Sequence, residues 1–463
     1  MQTRHLVDLQ DKRLLKRGNL LLNRLFSNSL HSIRQLAAND SEAKAFYRFL
    51  DNDKVGEEDL IRNMAYNCQC CVADRAVLCI QDSSEINLCN HRNRLKKDNS
   101  IGLTDGSAQG LGFFIHPSLV IDAESMVPYG FSHVKVWNRG PEVVAKEKSH
   151  QKNLIPIQEK ESYKWIEASL KSKQALAKAR QVIIIEDREG DIYEQFCLVP
   201  DARTHLLIRA KTNRILTNKT KLFEHLSQQP LQGSYDIDIQ GDKRRSLAKR
   251  TATLEVRFSQ VSIGRNQYTD KGMAETVALY AIEAREITSG IENPIHWRLL
   301  TSWPIESLSA ALLCINWYGY RWMIEEVFRI LKKEGFDIEA SELSSGKAVR
   351  KLCLLMLETI IKLFIMQIAY DSAIELPASC CFSAEEQAYM ELQIPQLEGK
   401  TQKLKNPYKP PDLKRYIWVI ARLGGWKGYL SERRPGITTF WIGLKKFDMF
   451  YSAFKLFNDL SRR

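Results

Sequence analysis

The chain has 463 residues, enough for two or three domains, and its 44% hydrophobic and 26% charged content is that of a soluble globular protein. Lys and Arg outnumber Asp and Glu by 67 to 55, and the net charge of +12 favours a polyanionic partner such as nucleic acid or a membrane surface. The N-terminus shows no apolar stretch with a small-residue cleavage site, and ten cysteines suit a reducing compartment, so a cytosolic protein without a membrane span is expected.

Residues 1 to about 70 read as helices. "DKRLLKRGNLLLNRLF" places Leu and Phe at helical spacings. "HSIRQLAANDSEAKAFYRFLDND" reads as helix, short polar break, helix, with Asp40 and Ser41 as N-cap candidates. The second of these helices would present Lys44, Tyr47 and Arg48, a pattern that suits either a helix-turn-helix reader of DNA or a plain helical hairpin. "CQCC" (Cys68, Cys70, Cys71) lacks a second Cys or His pair at zinc spacing, which argues against a structural zinc site.

From about residue 75 the texture changes to strands. "RAVLCIQDSSEINL" is an apolar run ending in Asp82, and "LGFFIHPSLVIDA" and "YGFSHVKVWNRG" follow as further strands. A helix over 159–180 leads into "QVIIIEDREGDIYEQF", a buried strand that breaks at Asp187, and "THLLIRAK" is the next strand. This order predicts a mixed α/β sheet. Residues 212–300 read as an insertion of antiparallel strands, with a basic loop, "DKRRSLAKR" (242–250), between the first two. The apolar run at 348–370 carries Glu358 and Lys362 and reads as a buried helix rather than a membrane span. Residues 371–463 hold a Pro-rich basic connector and an aromatic tail.

Asp82 and Asp187 each end a predicted central strand, where open α/β sheets place their ligands. "WYGYRWMIEEVFRILKKEG" (317–335) reads as a single helix. At about 100° per residue Tyr318, Arg321, Glu325 and Lys332 fall at roughly 0°, 300°, 340° and 320°, beside an apolar face of Met323, Ile324, Val327, Phe328, Ile330 and Leu331. Such a row is also what a solvated, salt-bridged helix face presents. Three carboxylates sharing one site repel unless a cation lies among them. Oxygen donors without Cys or His select Mg²⁺ or Mn²⁺, and a pair of ions can activate a water or a 3′ hydroxyl against a phosphodiester. Glu325 is the preferred third carboxylate, because Glu326 lies on the opposite border of the polar arc. Asp191 and Glu189 are left outside the set.

These residues resemble a known family. Tyr318-x2-Arg321-x3-Glu325-x6-Lys332 is similar to the Y-R-E-K signature of bacterial cut-and-paste DDE transposases of the IS-four group, which includes the Tn-five-type enzymes. "QDSSEINL", "EDREGDIYE", "KESYKW" and "ARLGGWKGYLSERRPGI" resemble other segments of that family, and the likeness runs from about residue 10 to 450. The resemblance implies a helical DNA-binding domain (1–70), an RNase H-like catalytic core (71–370) interrupted by the β insertion at about 212–300, and a C-terminal dimerisation domain (371–463). It implies Asp82, Asp187 and Glu325 as a metal-binding triad for Mg²⁺ or Mn²⁺, with two ions. It further implies DNA contacts at Tyr318, Arg321, Lys332, Arg209, Trp297, Arg48 and Arg17. The partners it implies are double-stranded DNA, at the element's ends and at the target, and a second copy of the chain. The setting is the bacterial cytoplasm, at the nucleoid when bound. Tyr193 departs from the pattern, since a His is usual there. Two rivals stay open: an end-binding regulator that no longer cuts, and a nuclease without strand transfer. A glycosidase built on two carboxylates does not explain the basic row beside them.

Overall fold

The computed structural model describes residues 4–27, 32–96, 98–104, 110–140, 155–239, 249–291, 293–333, 336–429 and 434–461. In chain order the first helices are α1 (Lys12–Ser27), α2 (Ile33–Leu36), α3 (Asp40–Asp51) and α4 (Glu57–Gln69). Strands β1 (Ala76–Gln81), β2 (Ser84–Asn87), β3 (Gly112–Asp122) and β4 (Pro128–Trp137) follow. Then come α5 (Tyr163–Ala175), β5 (Gln181–Glu186), α6 (Tyr193–Leu198), β6 (Thr204–Arg209) and α7 (Leu222–Ser227). Strands β7 (Gly233–Ile239), β8 (Arg250–Gly264), β9 (Thr276–Glu286) and β10 (His296–Thr301) precede α8 (Leu308–Gly319) and α9 (Trp322–Lys332). The chain closes with α10 (Gly346–Asp371), α11 (Ala384–Leu397), α12 (Leu413–Leu423) and α13 (Ile437–Ser461). The fold is mixed α/β. Most of the basic loop at 242–250 lies outside the described residues.

Two compact units divide the chain. The first comprises Met1–Ala73, Ser83–Ala145 and Glu325–Arg463. Its centre is α10, 26 residues long and apolar enough in length and composition to cross a membrane, yet mostly buried against α1, α3, α4, α12 and α13. Glu358, which interrupts its apolar run, faces the interior and meets Arg4 at 2.9 Å. Strands β2, β3 and β4 pair antiparallel in this unit, and α4 packs on β4. The N-cap of α3 is Asn39, one residue before Asp40 and two before Ser41: its side chain accepts from the Glu42 amide at 2.9 Å, while Asp40 pairs instead with Arg34 at 3.0 Å.

The second unit comprises Asp74–Asp82 and Lys146–Ile324. Its strands run in the order β1-β5-β6-β10-β9-β8-β7. The first three are parallel and the remainder antiparallel. Continuous apolar runs such as "VIII" in β5 are buried along their length, as a parallel strand covered on both faces requires. By contrast, β7 alternates exposed and half-buried positions at the sheet's end.

The predicted single helix over 317–335 is two helices in the structure, α8 and α9, broken at Tyr320 and Arg321. Gly319 weakens the helix there. Three-residue hydrogen bonds then take over, from Tyr320 N to Trp317 O at 3.1 Å and from Arg321 N to Tyr318 O at 3.0 Å. The 100° spacing therefore does not carry across the break from Tyr318 to the rest. From Trp322 onward the apolar face holds, with Met323, Ile324, Val327, Ile330 and Leu331 buried.

Candidate active site

Strands β1 and β5 are parallel neighbours in the register Ile80↔Ile185. Asp82 and Asp187 each lie two residues further on, so they stand level at adjacent strand ends, with neighbouring strands about 4.8 Å apart. Both side chains are partly exposed. Asp82 is held by Arg321, whose Nη1 donates to Oδ2 at 3.0 Å. Arg321 itself stands in the break between α8 and α9.

Asp187 caps the short turn that follows β5, accepting from the Glu189 amide at 2.7 Å. Four residues of "EDREGD" have places fixed by their contacts: Glu186, Asp187, Gly190 and Asp191. Glu186 is fully buried: Ser169 Oγ donates to Oε1 at 3.1 Å and Gln195 Nε2 to Oε2 at 2.5 Å. Burial pushes its carboxyl well above the ordinary range, against the lowering effect of those two donors. A Cβ at Gly190 would stand 1.9 Å from Glu186 Oε2, so only glycine fits. Asp191 accepts from the Lys211 amide at 2.8 Å, the Thr212 amide at 3.1 Å and the Arg214 guanidinium at 2.6 Å. It fastens the loop after β6 and serves no open site.

Gly190→Ala is expected to destabilise the protein by about 1–3 kcal/mol, the usual range for forcing a methyl into a packed interior. It should also slow cleavage more than it weakens DNA binding, because either Glu186 or the turn under Asp187 must move. Urea denaturation alongside a cleavage assay checks both. Unchanged stability would show that the close approach is relieved elsewhere.

The aspartates share the second unit with Tyr318, Arg209 and Trp297. Tyr318 is buried at the end of α8, and the Trp297 ring meets it edge-on at 5.7 Å between centroids. Burial raises the Tyr318 phenol, while Arg321 and Arg209 lower it and Asp187 raises it, so all three charges act on it. Burial likewise lowers the Arg209 guanidinium, with Tyr318 opposing. Arg209 also donates from Nη2 to the His296 carbonyl at 3.2 Å. Trp297 is half-buried on β10 between His296 and Arg298, both of which bind the buried Glu283, at 2.8 and 2.9 Å. Tyr193 is buried and its hydroxyl donates to the Ala274 carbonyl at 2.9 Å; burial pushes its phenol up to about 12.

Glu325 and Lys332 belong to the first unit, whose last segment starts at Glu325 inside α9. Glu325 is exposed on the first turn of α9, and Lys332 lies 3.7 Å from Glu339. Glu326, its rival, is clamped by Arg329, whose Nε donates to Oε2 at 2.6 Å. Among the described residues no three His, Cys, Asp or Glu side chains gather as a ready metal site. On α1 and α3, Arg17 is half-exposed and Arg48 exposed beside Lys44.

Gln81, Ser169, Glu186 and Gln195, all fully buried, escape the sequence reading. A signal was present in "VIIIED", a carboxylate inside an apolar strand one residue before a candidate ligand.

A parallel sheet that presents two carboxylates at adjacent strand ends, one of them bound by an arginine, defines an α/β protein with an acidic centre in basic surroundings. Family models described as transposase DNA-binding and transposase DDE domain match residues 2–55 and 77–358. The second match spans more than half of the chain, and the protein belongs to the DDE transposase family. Among solved structures, the chain is similar to one in the cryo-EM structure of a piggyBac transposase synaptic complex with hairpin DNA. The identity is 10%, 84% of this chain and 73% of that chain are covered, and the TM-score is 0.34.

Proposed function

We propose that this DDE transposase is of the Y-R-E-K, IS-four type. It binds the ends of its own insertion element, cuts them through a hairpin intermediate and joins them to target DNA. The observation that carries this reading is the level placement of Asp82 and Asp187 at the ends of β1 and β5, with Arg321 bonded to Asp82. Asp82, Asp187 and Glu325 form the proposed triad of an RNase H-like core. The donor set suits a hard divalent cation, since it is carboxylate oxygen without imidazole or thiolate. The charge now balancing Asp82 is a guanidinium, which marks the place as one that attracts a cation. When bound, two Mg²⁺ or Mn²⁺ ions would polarise the phosphate and favour deprotonation of the attacking hydroxyl.

The chain's own residues do the rest. Arg321, once released from Asp82, Arg209 and Lys332 are the proposed phosphate grips, with Tyr318, whose phenol Arg321 and Arg209 both lower, as a further proposed DNA contact; a guanidinium can hold a phosphate bidentately. Trp297, with its ring braced against Tyr318, is the proposed stacking surface for an unpaired base. Water attack nicks one strand; the released 3′ hydroxyl attacks the opposite strand to close the hairpin, and opening and transfer reuse the site. Positioning supplies much of the rate.

The N-terminal domain (1–70) would read the element's end through Arg17 and Arg48. Arg48→Ala is expected to weaken binding uniformly across sequences and to lower the slope of log K against log salt by about 1, if a phosphate contact is lost. Titrations at several salt concentrations measure it. Residues 371–463 would pair two copies. In support, Ile442, Met449 and Leu456 recur every seven residues on α13, and Met449 and Leu456 are 60% and 62% exposed.

The test is nicking of a labelled duplex that carries the DNA flanking this gene, with Mg²⁺ and with EDTA. Cutting at a defined end only with Mg²⁺ is expected. End binding without metal-dependent cutting would instead identify a regulator, and cutting without joining to a target a nuclease.

A further inference from the structure

The two aspartates stand at the surface of the sheet, but the residues just before them are tied together beneath it. Gln81 and Glu186 occupy equivalent places on β1 and β5, one residue after the paired Ile80 and Ile185. In parallel neighbours at the same register, both side chains leave the sheet on one face. On that face Gln81 Nε2 donates to Ser169 Oγ at 3.2 Å, Ser169 Oγ donates to Glu186 Oε1 at 3.1 Å, and Gln195 Nε2 donates to Glu186 Oε2 at 2.5 Å. Ser169 comes from α5, which packs on β1, and Gln195 from α6. All four side chains are completely buried.

We infer that the chain Gln81–Ser169–Glu186–Gln195 is a positioning device that holds Asp82 and Asp187 in register for a divalent cation. This rests on the proposed assignment of those aspartates as metal ligands. Four polar side chains withdrawn from water stabilise the fold little, because their hydrogen bonds replace equally good ones to solvent. Gln195 Oε1 finds no partner among the described residues, which makes the arrangement dearer still. Apolar residues would pack this face at less expense. What the polar chain adds is direction: hydrogen bonds have preferred lengths and angles, and these join the last residue of one strand to the last residue of its neighbour. A slip of either strand end would break the bridge at Ser169. Because Asp82 and Asp187 follow directly on the bridged residues, their spacing is set by it. Gly190 completes the device by leaving room for Glu186.

Residues that orient metal ligands from behind commonly change metal affinity by about 10–100-fold when replaced. The experiment measures Mn²⁺ binding to the full-length protein without DNA, by the electron paramagnetic resonance signal of free Mn²⁺, together with thermal stability in EDTA. Ser169→Ala is expected to raise the Mn²⁺ dissociation constant about tenfold, and Ser169→Thr, which keeps the hydroxyl, to restore most of it. Ser172→Ala, equally buried on the same helix, is the control: it should shift stability without moving Mn²⁺ affinity. Should Ser169→Ala fail to fold, Gln81→Met reports on the same bridge from the other side. Unchanged Mn²⁺ affinity in a folded bridge variant, or an equal loss in Ser172→Ala, would overturn the inference. Absence of Mn²⁺ binding by the unaltered protein, with or without element-end DNA, would overturn the metal-site reading on which it rests.

Discussion

Glu325→Ala is expected to bind element-end DNA as tightly as the unaltered protein and to nick it about 10³-fold more slowly or worse. A carboxylate that shares in holding a catalytic cation underwrites several kcal/mol of transition-state stabilisation, and each 1.36 kcal/mol is a factor of ten in rate. Glu325 is exposed on the first turn of α9, so its removal should change stability by no more than about 0.5 kcal/mol. The loss of cutting is therefore not a loss of folding. Glu326→Ala supplies the contrast. Its carboxylate is already bound twice by Arg329, and its replacement should leave the rate within a few-fold. Single-turnover nicking in Mg²⁺, with binding measured in EDTA, separates the two. Rapid cutting by Glu325→Ala together with a dead Glu326→Ala would transfer the role to the neighbour.

The second large effect concerns stability. Arg4→Met should destabilise the first unit by about 3–5 kcal/mol, the typical cost of leaving one partner of a buried ion pair unpaired. Arg4 and Glu358 have side chains only 8% and 3% exposed, and they meet at 2.9 Å. Arg4 also donates to the Tyr129 carbonyl at 2.6 Å, and Asn67 donates to the same Glu358 oxygen at 2.9 Å. One cluster thus ties the N-terminal segment to α4, β4 and α10. Glu358 Oε2 has no partner among the described residues, so the carboxylate has little to fall back on when Arg4 is removed. With net stabilities of about 5–15 kcal/mol for a domain, that loss is a large share. The double replacement Arg4→Met with Glu358→Met should recover much of it, because no charge is then stranded. Shifts in urea midpoint at constant slope measure both. A single variant as stable as the unaltered protein would mean that the pair is solvated.

Much of the local structure was legible in the chain. Apolar runs punctuated by Gly and polar clusters place β1, β3, β4, β5, β6 and the four strands from 233 to 301, and helical periodicity places α1, α3, α5 and α10. The strand-end positions of Asp82 and Asp187 follow from the same runs. Cys79, Cys314 and Cys353 are buried, as their apolar neighbours suggest. At two places the short-range signal is weak. One glycine and a turn of three-residue hydrogen bonds divide α8 from α9, and the pattern of apolar residues runs on across the break. Likewise Asn39 and Asp40 are both good caps, and only the geometry of the chain arriving at α3 selects between them.

What the sequence determined by itself, then, is most of the elements and the chemistry at their ends: two aspartates after buried strands, Glu325 and Lys332 on one amphipathic helix, a net positive charge. What only the tertiary structure decided is which of these side chains answer one another. The parallel register of β1 and β5 sets Asp82 level with Asp187, Arg321 reaches Asp82 across 239 positions of sequence, and Arg4 reaches Glu358 across 354. The division has a physical cause. Periodicity and capping act within a few residues and leave their mark on neighbouring letters. A buried hydrogen bond or ion pair depends on two distant strands or helices arriving at one place, and it is packed apolar area, not the charged residue itself, that brings them there.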